Sequence, residues 1–372
     1  MKHVTIIQRR LTHYRVARFE QLKDRLETDG VRLRLLHGAP RDSERSKKDE
    51  GTLSWAEPLP TRYFLGERVC WQPFARQVAG EDLVIVTQEN AMLANHFALV
   101  WRPAERLAFW GHGGNLQGDA VSLKERFKTW STRQVDWYFA YTRLSVDLVR
   151  DAGFPRDRIT QLDNAVDLAE IKGHLKQLST EGKAAVQARL GLSDGPMGLY
   201  LGSLYAHKRL DFLLSTAQMV RKDIPDFQLA IVGAGSERAL IEDAARQHDW
   251  IHYFGPKMGI EKARLLYAAD VMLNPGLVGL GILDAFASET PMLTTDCGIH
   301  SPEIAYLNES NGIITDDDPQ AYANACVEVF NDPERLDTLK SGCRQAAGRF
   351  TLPNMVKAFA TGIVDALRAS PK

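Results

Sequence analysis

Asn274-Pro275-Gly276-Leu277-Val278-Gly279-Leu280-Gly281-Ile282-Leu283-Asp284-Ala285-Phe286-Ala287 is the stretch on which the reading of this chain turns. The apolar run 271–274 reads as a strand, the glycines open a loop, and helical periodicity begins near Gly279. Such a junction sets backbone N–H groups, at the positive end of a helix, over the carboxyl edge of a parallel sheet. That arrangement receives phosphate. Asp284, about a turn into the helix, is placed to accept hydrogen bonds from vicinal ribose hydroxyls.

Outward from this junction, short apolar runs alternate with amphipathic helical patterns, the sequence form of repeated βα units. The first half offers strands at 4–8, 32–36, 83–87, 107–111, 138–141 and 159–162. The second offers 197–202, 228–232, 251–254, 271–274, 292–295 and 312–315. Between them Phe19, Leu22 and Leu26 share one helical face, as do Leu210, Leu213, Leu214 and Ala217. Two doubly wound α/β domains are expected, at 1–170 and 171–352, with an amphipathic helix over 353–372 whose apolar face carries Met355, Phe359, Ile363 and Leu367.

Two more junctions in the second half share the strand–loop–helix form. In Gly202-Ser203-Leu204-Tyr205-Ala206-His207-Lys208-Arg209-Leu210 a basic pair enters the first turn of a helix, where the dipole disfavours cations unless an anion is bound there. Exposed Lys and Arg on a solvated face is the plainer alternative. Ile231-Val232-Gly233-Ala234-Gly235-Ser236 lacks the third glycine of a dinucleotide fingerprint, having Arg238 in its place, which weakens a dehydrogenase reading.

A chain of 372 residues, 44% hydrophobic, suffices for two cores, and 46 Lys+Arg against 47 Asp+Glu argue against a nucleic-acid binder. Cys70, Cys297, Cys326 and Cys343 show neither metal-ligand spacing nor a disulfide framework. The N-terminal apolar run is too short for a signal peptide and no segment is long enough to span a bilayer, so a cytoplasmic location is expected. Residues 1–172 carry 27 Lys+Arg against 23 Asp+Glu. Arg9, Arg10, Arg15 and Arg18, with Lys124, Arg126, Lys128 and Arg133, form helices that could rest on anionic headgroups at the inner membrane face, although an ordinary solvated face is the simpler reading. The charged stretch 37–57 reads as a solvated or mobile loop.

The residues from about Asp136 to Ala347 resemble the retaining, sugar-nucleotide-dependent glycosyltransferases of the GT-B fold, family four, most strongly at 202–214 and 273–303. The resemblance implies two Rossmann-like domains facing a cleft, an acceptor side first and a nucleotide-sugar side second, with the C-terminal helix able to cross back to the first. Gly202, Leu204, Lys208 and Arg209 match the segment that grips the nucleotide diphosphate, with Ser203 in place of the usual Arg. The paired acidic positions of the family fall on Gly276, a departure, and Asp284. His112, in Phe109-Trp110-Gly111-His112-Gly113-Gly114, stands where the family often carries a histidine beside the anomeric centre, though a buried structural histidine fits as well. Asn164 lies in an element similar to the family's N-G-V-D, and Arg9–Arg15 replaces its glycine-rich first loop.

The expected chemistry follows. Lys208, Arg209 and His112 are the candidate catalytic residues; Gly202, Ser203, Gly233, Gly279, Leu280, Gly281, Asp284 and Asn164 are the candidate donor-binding ones. The resemblance implies sugar transfer from a nucleoside diphosphate sugar, UDP before GDP, to a saccharide or lipid-linked hydroxyl in polysaccharide or glycoconjugate synthesis, with no metal and no resident cofactor. Glu303 could hold a sugar or loop hydroxyl or simply begin a helix, and Asp316-Asp317-Asp318-Pro319 reads as a helix cap rather than a metal motif. A sugar-nucleotide epimerase or phosphorylase of the same fold, and a non-catalytic nucleotide-sugar-binding module, are the rival readings.

Overall fold

The computed structural model describes residues 1–45, 49–114 and 123–371, and only the backbone of 123–126. The chain divides into two compact units, Met1–Asp167 with Leu352–Lys372, and Leu168–Thr351.

In the first unit the strands are β1 (Lys2–Gln8), β2 (Val31–His37), β3 (Glu57–Pro58), β4 (Arg62–Phe64), β5 (Val69–Trp71), β6 (Leu83–Thr87), β7 (Leu107–Gly111), β8 (Trp137–Ala140) and β9 (Ile159–Gln161). The helices are α1 (Val16–Thr28), α2 (Asp42–Arg45), α3 (Leu93–Trp101), α4 (Leu123–Thr132) and α5 (Arg143–Asp151). A parallel sheet runs β3-β2-β1-β6-β7-β8-β9, while β4 and β5 form an antiparallel hairpin apart from it. Every residue of β6, β7 and β8 is buried, as expected of parallel strands covered on both faces, which is why each reads as an unbroken apolar run. Direction reverses between β1 and β6, since the chain leaves β1 toward β2 and β6 toward β7.

The stretch after β1 departs from expectation. Residues 37–57 are not simply a solvated loop: they carry α2 and enter β3, and Arg9 grips Glu44 in a two-point bond (both 2.7 Å) while Arg10 grips Asp49 (2.6 and 2.9 Å). Arg18 is 1% exposed. These guanidinium groups turn into the protein, so the first basic cluster is not a headgroup-facing surface. In the second cluster Arg133 donates to the Ala152 carbonyl, and the side chains of Lys124 and Arg126 lie outside the described residues.

The second unit holds β10 (Met197–Leu201), β11 (Gln228–Val232), β12 (Ile251–Gly255), β13 (Val271–Leu273), β14 (Met292–Thr295) and β15 (Gly312–Thr315). Its helices are α6 (Ala169–Leu178), α7 (Lys183–Arg189), α8 (Leu210–Asp223), α9 (Arg238–Gln247), α10 (Gly259–Ala268), α11 (Gly281–Ala287), α12 (Pro319–Asn331) and α13 (Pro333–Arg349). All strands are parallel in the order β12-β11-β10-β13-β14-β15, with a core built from Tyr200, Leu213, Phe227, Ile231, Leu273 and Leu293. Here the reversal falls between β10 and β13.

The last helix, α14 (Leu352–Arg368), belongs to the first unit. Phe359 packs its ring 5.0 Å from Trp110 and 4.8 Å from Phe139. Gly362 lets it touch β9, because a Cβ there would stand 2.3 Å from Thr160 Oγ1. Among the described residues no helix is long and apolar enough to cross a membrane.

Candidate functional site

In open α/β sheets, ligands bind outside the carboxyl ends of the strands where the winding reverses. In the second unit that point is flanked by the loops after β10 and β13, residues 202–209 and 274–280. The two loops are joined: Leu277 N donates to the His207 carbonyl (2.8 Å), and Lys208 Nζ donates back to the Leu277 carbonyl. Thr295 Oγ1, at the end of β14, donates to the Pro275 carbonyl (2.8 Å).

Gly276 makes this junction possible. A Cβ at that position would lie 2.4 Å from the His207 carbonyl oxygen and 2.6 Å from Lys208 C, both closer than atoms pack. The missing carboxylate is therefore excluded by backbone contact. An acidic side chain at 276 and this path of the Lys208 loop cannot coexist.

Burial of Lys208 pushes its ammonium down to about 8; it donates to the neutral Leu277 carbonyl and lies over the Tyr205 ring (5.9 Å). Helix α11 begins at Gly281, two residues later than its glycines suggest, so Gly279 and Leu280 precede it. The amides of Gly279, Leu280 and Gly281 have no acceptor among the described residues. One ammonium and three free N–H groups thus border the reversal point.

The other expected donor residues are engaged elsewhere. Arg209, left-handed at φ 55°, pairs with Asp317, donates to Thr295 Oγ1 (3.2 Å) and lies over the Phe212 ring (4.5 Å). Its neighbour Asp318 caps α12 by accepting from Ala321 N (2.8 Å). Asp284 is 8% exposed and held by Lys262 of α10, whose Nζ sits 2.8 and 2.9 Å from its two oxygens. Burial raises the Asp284 carboxyl and the Lys262 charge opposes that rise. The geometry leaves Asp284 tied to an ammonium rather than open to a ribose.

Gly202, Gly233 and Ser203 belong to a packed corner. A Cβ on Gly233 would stand 1.8 Å from the Gly202 carbonyl oxygen, and Tyr200 Oη donates to the Ser203 carbonyl (2.8 Å). Gly233, at φ 151°, thus serves close contact between the loops after β10 and β11. Glu303, 4% exposed, sits inside the 3-10 turn Pro302–Tyr306.

His300 was not foreseen. Its Nδ1 accepts from Val278 N (3.1 Å) and its Nε2 lies 2.7 Å from the Thr295 carbonyl and 3.5 Å from Cys297 Sγ, so the imidazole pins the loop after β13 to the end of β14. Contact with His300 carries the Cys297 thiol down to about 7 against its own burial. No local pattern announces Lys262 or His300, since each is recruited by tertiary proximity.

His112 and Asn164 lie in the first unit. His112 follows β7 with its ring 4.7 Å from Tyr141. Asn164, 6% exposed, accepts from Arg18 Nη2 (3.0 Å), which is a structural use of that side chain.

Residues 195–332 match the glycosyl transferases group 1 family. That segment contains both junction loops. Among curated relatives, D-inositol 3-phosphate glycosyltransferase of Thermobispora bispora is 27% identical over 213 residues, 53% of this chain and 48% of that protein. The GDP-mannose-dependent alpha-(1-6)-phosphatidylinositol monomannoside mannosyltransferase of Mycolicibacterium smegmatis is 27% identical over 168 residues, 42% and 44% of the two chains. The chain spans about half the length of these relatives. Solved structures agree over nearly the whole chain. A Rickettsia africae glycosyltransferase superposes with TM-score 0.70 at 14% identity, covering 99% of both chains, and Anabaena HepE in complex with UDP with TM-score 0.69 at 15%, covering 98% and 100%. At such identities the likeness shows the fold: two parallel-sheet α/β units, as in GT-B glycosyltransferases.

Proposed function

We infer that the chain is a retaining glycosyltransferase that moves a sugar from a nucleoside diphosphate sugar, UDP before GDP, to a hydroxyl of a saccharide or lipid-linked acceptor. The second unit holds the donor and the first receives the acceptor. The observation that carries this reading is the ammonium of Lys208 beside the unbonded amides of Gly279, Leu280 and Gly281 at the reversal point of the second sheet. As the glycosidic bond to phosphate breaks, negative charge grows on the β-phosphate and positive charge on the sugar. Fixed donors aimed at that phosphate stabilise the transition state more than the ground state, and a protein ammonium serves where a divalent ion otherwise would. Attack on the same face as the departing phosphate preserves the anomeric configuration. The family match over residues 195–332 and the UDP complex of HepE support the donor class.

A panel of UDP-, GDP- and ADP-sugars tests this by thermal shift, since a ligand that binds only the folded protein raises its melting point. UDP-sugars should give the largest rise, and Lys208→Ala should abolish it while lowering transfer roughly 10²–10³-fold. Full activity in a folded Lys208→Ala protein would refute the assignment. The side chain missing at Gly276 and the closed Lys262–Asp284 pair favour one second reading, a nucleotide-sugar-binding module. Slow hydrolysis of a bound nucleotide sugar would exclude it.

A further inference from the structure

Helix α3 lies at the surface of the first unit, yet none of its nine residues is Asp, Glu, Lys or Arg. Ala94, Asn95, Ala98 and Leu99 turn inward and are buried. Leu93, Phe97, Val100 and Trp101, at i, i+4, i+7 and i+8, share the opposite face and are exposed, the last two by 70% and 63%. A surface helix ordinarily sets polar residues there.

The apolar surface continues past the helix. In the hairpin of β4 and β5, Arg62 stands opposite Trp71 and Phe64 opposite Val69. Tyr63 and Cys70 alternate to the other side, where Cys70 is buried and Tyr63 Oη donates to the Ala39 carbonyl (2.8 Å). Arg62, Phe64 and Trp71 therefore share the outer side of the hairpin, and Phe64 is exposed there, as is Leu65 in the turn. Trp71 meets Phe97 edge-on with ring centres 5.6 Å apart, and Phe97 stacks on Trp101 at 4.9 Å. With Phe74, Pro103 and Arg76 these three rings line a cavity of about 420 Å³. Single exposed apolar side chains are ordinary, but a connected aromatic run beside a cavity marks a surface that meets a partner.

The charge around this face selects the partner. Arg62, Arg68 and Arg76 are exposed and, among the described residues, none of them enters an ion pair. Glu67, the acid of the turn, is engaged with α2, accepting from Asp42 N and Ser43 Oγ (2.7 and 2.6 Å). A second copy seated on the same face would bring guanidinium against guanidinium, because a two-fold interface sets a patch against itself. An anionic bilayer meets both halves of the pattern: aromatic rings settle at headgroup level, and arginines beside them reach the phosphates.

We propose that the first unit docks on an anionic lipid bilayer through this face, with Phe64, Phe97 and Trp101 entering the acyl boundary and Arg62, Arg68 and Arg76 on the headgroup phosphates. This seat is distinct from Arg9 and Arg10, which are matched to Glu44 and Asp49. It does not depend on what the second unit binds.

Flotation of the full chain with vesicles tests the seat. Vesicles of equal parts phosphatidylcholine and phosphatidylglycerol should carry the protein, and pure phosphatidylcholine should hold it at least about tenfold less, since each basic residue at an anionic surface is worth about fivefold. Phe97→Ser with Trp101→Ser should lower partition by about tenfold or more. Arg62→Gln and Arg76→Gln should lower it about fivefold each, and melting temperatures like that of the wild type would show that these surface variants fold. Lipids brominated on the acyl chain should quench tryptophan fluorescence, and Trp101→Phe should remove part of that quenching while keeping flotation. Absence of flotation with the mixed vesicles overturns the proposal, as does flotation that the aromatic and arginine variants leave unchanged. Dimerisation in the ultracentrifuge that Trp101→Ser abolishes, without vesicle binding, assigns the face to a second copy and overturns it equally. A UDP-glucose thermal shift on the same variants should match the wild type, so failure of the seat leaves the transferase reading untouched.

Discussion

Protonation of Lys208 should be coupled to donor binding. Burial holds its ammonium near 8 in the free protein, where it donates to the Leu277 carbonyl and, among the described residues, forms no ion pair. A diphosphate requires the charged form. With a pKa of about 8, roughly a tenth of the molecules are neutral at pH 7, half at pH 8 and about three quarters at pH 8.5. Binding UDP-glucose must therefore draw up about 0.1, 0.5 and 0.75 protons at those pH values, and apparent affinity should fall about twofold at pH 8 and about fourfold at pH 8.5. Isothermal titration calorimetry in buffers of different ionisation enthalpy measures the uptake as the slope of observed against buffer enthalpy. Lys208→Met should weaken binding and flatten that slope to zero. A slope that stays near zero in the wild type across this range, or that is unchanged in Lys208→Met, would show that the ammonium does not meet the phosphates. The sign for stability is opposite to that of a paired lysine. The folded pKa is lowered, so the cost of keeping the charge buried is complete below about 8 and is relieved as pH rises from there toward 10.5.

Three other outcomes are expected. Gly276→Ala, whose Cβ meets backbone at 2.4 Å, should cost about 1–3 kcal/mol by overpacking and weaken UDP-glucose binding; denaturant titration showing no loss would mean that the loops separate freely. Lys262→Met strands Asp284 as an unpaired buried carboxylate and should destabilise by about 3–5 kcal/mol, a loss that Lys262→Met with Asp284→Leu recovers in the same assay. Glu44 is held down to about 2, first by its hydrogen bond with Arg9, so its contribution is complete above about 4.5 and fades as pH falls through 2. Hydrogen exchange in residues 37–45 should accordingly rise in Glu44→Gln at pH 5 and match the wild type near pH 2.

The apolar runs read as strands are all strands, and the reason is local. A strand buried on both faces must be apolar throughout, so its position is written in consecutive residues such as Leu83–Thr87 and Gln228–Val232. The pieces missed, β3, β4 and β5, have two or three residues each, and only Cys70 among them is buried, too little for a period to show. Helix α11 starts later than read because Gly279 and Leu280 remain outside it, and glycines mark where a turn is allowed without marking where it ends.

The site divides along the same line. Glycine junctions after β10 and β13, and Lys208 within the first, are legible because a tight strand-to-helix turn needs particular residues at adjacent positions. The partner of each charged side chain is not. Arg209 meets Asp317, 108 residues on; Lys262 closes over Asp284; Arg9 and Arg10 order a segment that composition alone marks as loose. Secondary structure follows from neighbours along the chain, whereas ion pairing follows from which loops a strand order sets side by side, and that order is a property of the folded sheet.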